Sequence, residues 1–132
     1  MISFVEKRKT LIAKLREKLN NKGSFKKSGK EPLSKSHFLE IELAHKISDV
    51  DNNITEFWFK PNKGIIIYRI VVEVGLFNDE IATQTNIIYN SNEWYLLVGY
   101  ENVEKNLIWN FQLFGKENGS DKHFNLSVNY KT

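Results

Sequence analysis

The sequence predicts an α+β domain: an N-terminal amphipathic helix packed on a curved antiparallel β-meander of six or seven strands. Three observations predict it. Apolar residues first recur at helical spacing, the period changes to two near Leu39, and the apparent strands are joined by connections too short for parallel crossovers. The 132 residues suit a single domain, with 2–20 as helix, 21–36 as basic linker and 37–132 as sheet.

The helix is read from Phe4, Val5, Leu11, Ile12, Leu15 and Leu19, which share one stripe at 3.6 residues per turn. Lys7, Lys14 and Lys18 border the stripe on one side, Lys9 and Arg16 on the other. Arg8 falls within it, so its guanidinium must snorkel, find a carboxylate or reach a partner. Asn20-Asn21-Lys22-Gly23 supplies a stop, with Gly23 able to cap the last turn. Residues 21–36 are rich in Ser, Lys and Gly and offer nothing to pack.

From Leu39 onward, Leu39, Ile41 and Leu43 alternate with Glu40, Glu42 and Ala44, the pattern of a half-buried strand. A helix is the rival reading, since Leu39, Leu43 and Ile47 also share a helical face. Further strands are expected over residues 54–60, 65–77, 81–89, 94–100, 107–114 and 124–130. The turns between them fall at 49–53, 61–64 (a hairpin), 78–80 and 90–93, with loops at 101–106 and 115–122. Segments 65–77 and 94–100 are apolar on both faces, which one helix cannot cover. The sheet therefore closes into a barrel or sandwich, or a partner covers its second face; a symmetric homodimer is the expected form of the latter.

Composition narrows the chemistry. Without cysteine there is no disulfide framework, thiolate chemistry or sulfur-based zinc site. His37 and His45 are too far apart along an extended chain to share a metal, and no His-x-x-x-His or acidic cluster accompanies them. The glycines form no phosphate-cradling loop, and no Gly-x-Ser-x-Gly is present. A non-enzymatic chain without cofactor or metal is expected. The sequence shows no signal peptide and no membrane-length apolar run, so a cytoplasmic location is the expectation.

The net charge of +3 is unevenly divided: residues 1–30 carry +8 and the remainder −5. Lys7, Arg8, Lys9, Lys14, Arg16, Lys18, Lys22, Lys26, Lys27 and Lys30 are the candidate surface for an acidic protein partner or nucleic acid. Such lysines serve equally well to keep a helix soluble. Arg69 and Glu73, mid-strand in the most hydrophobic segment, are either paired or line a pocket. Gln84, Asn86, Asn110, Gln112, Asn125, Ser127 and Asn129 alternate along the later strands, as a solvent face or as a hydrogen-bonding platform for a partner. The function read from this is a small protein-binding module acting by occlusion, of inhibitor or immunity-protein type, from a bacterium, phage or mobile element. The alternatives are a nucleic-acid-binding accessory protein using the basic segment, and a small-ligand binder or enzyme with a pocket between helix and sheet.

Overall fold

The computed structural model describes residues 38–83 and 87–132. The helix expected over residues 2–20 and the basic linker over 21–36 lie outside the described residues. Within them the chain is all-β: β1 (Ile41–Ile47), β2 (Ile54–Pro61), β3 (Ile65–Val74), β4 (Phe77–Ala82), β5 (Tyr95–Glu101), β6 (Ile108–Glu117) and β7 (His123–Lys131). They form two antiparallel sheets of order β1-β2-β5 and β4-β3-β6-β7. The expected α+β class is corrected accordingly, since no described residue is helical and the strands divide between two sheets instead of following one meander.

The physical reason is that a short connection restricts neighbours only if it stays within one layer. Residues 62–64 carry the chain from β2 in one sheet to β3 in the other, so the segment expected as a hairpin is a crossover between layers. True hairpins join β1 to β2, β3 to β4 and β6 to β7. The pairings β2–β5 and β3–β6 join segments distant in sequence.

The inward rows meet in one core. Phe57 and Phe59 of β2, Val98 and Tyr100 of β5, and Trp109, Phe111 and Leu113 of β6 are all almost wholly buried. Phe57 lies 4.8 Å from the Trp109 ring and 5.2 Å from that of Phe111, so the sheets touch face to face through aromatic side chains. The two-faced apolar character of the fifth strand is resolved within the chain. Val98 and Tyr100 enter this core, while Leu96 joins Ile54, Trp58 and Trp94 in a second cluster on the outside of the three-stranded sheet.

β3 and β4 differ most from expectation. Residues 65–77 form no single strand, because Gly75 at φ 56° and Leu76 make a two-residue turn. Asn78, Asp79 and Glu80, expected as a turn, lie within β4, and the strand expected over 81–89 ends at Ala82. Beyond Ala82, Tyr89 forms an isolated bridge back to Ile65. A register shift between Ile67 and Arg69 makes Tyr68 an extra residue in β3, so Ile65 and Ile67 face the core together with Ile70, Val72 and Val74. On the facing strand, a side chain at Gly115 would begin 1.9 Å from the Ile66 carbonyl oxygen, so glycine permits this close approach.

Candidate functional site

The outward face of the four-stranded sheet gathers the polar residues that alternation singled out. On β6 and β7 the amides bond to one another across the strands. Asn110 Nδ2 donates to Ser127 Oγ at 2.7 Å and to Asn129 Oδ1 at 2.8 Å, and Gln112 Nε2 donates to Asn125 Oδ1 at 2.9 Å. The register explains this ladder, since Asn110 stands opposite Asn129 and Gln112 opposite Ser127. Gln84 and Asn86, expected on the same face, lie outside the described residues.

Arg69 and Glu73 belong to this face through β3. They are not paired with each other. The Arg69 guanidinium bonds Glu80 on β4 at 2.5 Å and stacks over the Phe114 ring at 4.9 Å, while Glu73 accepts a hydrogen bond from Asn78 Nδ2 at 3.4 Å. Both Arg69 and Glu73 are exposed. β3 thus sets charged groups beside the amide rows of β6 and β7, with Val71 between them opposite Gln112.

Three contributors were missed in the sequence. Glu80 was read as a turn residue, although its place opposite Val71 follows once Gly75-Leu76 is taken as the turn. Phe114 closes the strand expected over 107–114, and nothing in the sequence signals its contact with Arg69. Tyr68, displaced by the bulge, lies with its ring 5.9 Å from that of His123, giving the face an aromatic margin at one end of β7.

His45 stands elsewhere. Its Nδ1 lies 2.6 Å from the Tyr130 hydroxyl, linking β1 to β7 at the opposite end of the latter. Burial raises the Tyr130 phenol above its ordinary range, against a lowering hydrogen bond from the His45 backbone. The Tyr89–Tyr95 pair forms another cluster, rings 5.0 Å apart. The Tyr95 hydroxyl donates to Glu93 at 2.8 Å and accepts from the Asn90 N–H, and burial pushes its pKa up. Tyr89 is raised by burial, with Tyr95 adding to it, to about 12. Among the described residues no three His, Asp or Glu side chains converge as a metal site.

Lys7, Arg8, Lys9, Lys14, Arg16, Lys18, Lys22, Lys26, Lys27 and Lys30 all lie outside the described residues. Among the described residues no helix is long and apolar enough to cross a membrane. No protein-family model matches the chain, and no curated protein matches it.

Proposed function

We propose that this chain is a non-enzymatic binding module that occludes a protein partner, as an inhibitor or immunity protein does, through the outward face of β3, β6 and β7. The observation that supports this reading is the set of amides on β6 and β7 holding one another in register beside Arg69 and Glu73. A primary amide has four hydrogen-bonding positions, so one engaged with a neighbour keeps others for a partner. Side chains already fixed by mutual bonds lose little rotamer freedom on binding, which favours affinity without new contacts. The basic residues of segment 1–30 then steer an acidic partner toward the protein and set association rate more than residence time.

The test separates the two surfaces kinetically. The partner retained from host extract by the full chain is measured against two variants, Gln112→Arg/Asn129→Arg on the face and Lys22→Glu/Lys26→Glu/Lys27→Glu/Lys30→Glu on the basic segment. The face variant is expected to dissociate at least about tenfold faster with its melting temperature kept, and the basic variant to associate more slowly at low salt. Unchanged dissociation from the face variant overturns the surface assigned. The +8 of segment 1–30 favours a second reading, a nucleic-acid-binding accessory protein. Retention of nucleic acid with steep salt dependence, lost in the basic variant, would replace the first reading by the second.

A further inference from the structure

The four-stranded sheet ends on two edges, β4 and β7, and the three-stranded sheet on β1 and β5. Exposed edges offer unpaired N–H and C=O groups to any extended chain, and proteins usually blunt them with charge, proline, bulges or brevity. Three of these edges carry such devices. β4 is six residues long with Asp79 and Glu80 inside it, β5 is irregular where it passes Phe57 and Trp58 and contains Gly99, and β1 carries Glu42, His45 and Lys46. β7 carries none. Its nine residues pair with β6 without a register shift, contain no proline, glycine or acid, and keep charge or histidine to the two ends, His123 and Lys131.

The side chains of β7 are exposed or half-buried along its whole length. Phe124, Leu126, Val128 and Tyr130 form a half-buried row against the rim of the core, and Asn125, Ser127 and Asn129 form an exposed row outside. Read about Ser127, the strand is complementary to itself. An antiparallel copy centred there sets Leu126 against Val128 and Phe124 against Tyr130 on the inner row. On the outer row it sets Asn125 against Asn129, with His123 against Lys131 at the ends.

We infer that β7 is a homodimer interface, at which a second copy of this chain adds its own β7 about a two-fold axis through Ser127, making one continuous eight-stranded sheet. Such an isologous arrangement is the commonest for homo-oligomers. The outward amides favour this occupant. Asn129 is bonded to Asn110 and Asn125 to Gln112 within one copy, so pairing Asn129 with Asn125 of the second copy joins them into unbroken four-amide rows. Like charges do not meet at the axis, and the half-buried apolar row is covered on both copies. Two paired nine-residue strands bury less than the roughly 1,200 Å² of a standard stable interface, so the dimer is concentration-dependent. Its formation does not depend on the face binding a protein partner.

The axis gives the test. In this dimer Ser127 meets its own copy, whereas in the monomer it is exposed on an outward row. The full chain is studied by sedimentation velocity across a wide concentration range, with Ser127→Lys and Ser127→Glu variants alone and mixed in equal amounts. The wild type is expected to rise from the 15.5 kDa of one chain toward twice that mass. Each variant alone remains monomeric with its melting temperature kept, and the mixture recovers dimers because lysine then faces glutamate. A wild type that stays monomeric at every concentration overturns the inference. So do variants that dimerise as well as the wild type, or a mixture that fails to recover.

Discussion

The outward face of the three-stranded sheet and that of the four-stranded sheet use opposite means to sit on the same core. On the first, every residue of β2 is buried, Glu56 and Lys60 included. Its charges are folded into the surface: Trp58 donates its indole N–H to Glu56 at 3.1 Å, and Lys60 lies 3.6 Å from Glu42 and over the Trp94 ring. On the second, β7 alternates exposed and half-buried positions, and its polar groups meet solvent. A face that buries its ions gains packing but yields no free surface. A face of mutually bonded amides keeps its geometry while exposed, and the proposed binding surface relies on that property.

The largest test of this contrast is truncation on the buried face. Trp58→Ala removes the centre of the Ile54–Leu96–Trp94 cluster and leaves Glu56 without its indole donor. A loss of about 3–5 kcal/mol in chemical denaturation is expected. A value near that of an exposed site would erase the difference between the faces.

The interior between the sheets supplies a second measurement. In the unfolded chain the phenol of Tyr89 ionises near pH 10, and in the folded protein near 12. Between those values the unfolded state releases a proton that the folded state keeps, so the stabilisation present below pH 10 is lost as pH rises toward 12. The decline contributed by Tyr89 is at most about 1.4 kcal/mol per pH unit. Tyr89→Phe should flatten that part of the alkaline unfolding curve and leave the contributions of Tyr95 and Tyr130. An unchanged alkaline slope would mean that the phenol is not buried in this way.

The smallest effect is expected on the amide face. Asn129→Ala removes one acceptor from Asn110, which keeps Ser127, so the change in stability should stay within about 1 kcal/mol. A larger loss would make the ladder a structural element and weaken its assignment as a binding surface.

Legibility in the sequence followed the regularity of the strands. β1 and β7 appear near their expected places because their side chains alternate, β2 and β5 because each is a short apolar run bounded by turn residues, and the rival helix for the segment around Leu43 is excluded by its pairing with Phe59. Asparagines in the expected turn at 90–93 and loop at 101–106 take positive φ at Asn92, Asn102 and Asn106, as that residue does most readily after glycine. β3 and β4 were misread for local reasons. The turn between them is only Gly75-Leu76, and Leu76, fully exposed, looks like the continuation of an apolar strand. Polar residues of an edge strand imitate a turn, as at Asn78-Asp79-Glu80. The bulge at Tyr68 inverts inside and outside partway along β3, which no fixed period can anticipate.

The candidate site was legible in the same measure. Asn110, Gln112, Asn125, Ser127 and Asn129, which alternate in the sequence, share the outward face, as Arg69 and Glu73 do, while Gln84 and Asn86 of the same set lie outside the described residues. The actual partners of Arg69 and Glu73, Glu80 and Asn78, depended on the hairpin that was misplaced. The division into two sheets was not visible at all, because connector length reports distance and not layer.

The pairing of β2 with β5 has a consequence for how quickly the protein reaches its native state. Ile54 stands opposite Glu101, and between them the chain builds β3 and β4 in the other layer. Closing so long a loop costs entropy before the pairing contributes any energy, whereas the β3–β4 and β6–β7 hairpins close locally. The local hairpins therefore set early and the centre of the three-stranded sheet sets late. All-β domains dominated by such non-local pairings generally fold in roughly milliseconds to seconds. Without β5, one side of β2, with Phe57 and Trp58 beside it, is an open edge, the kind of unpaired strand that makes a partly folded chain prone to aggregate.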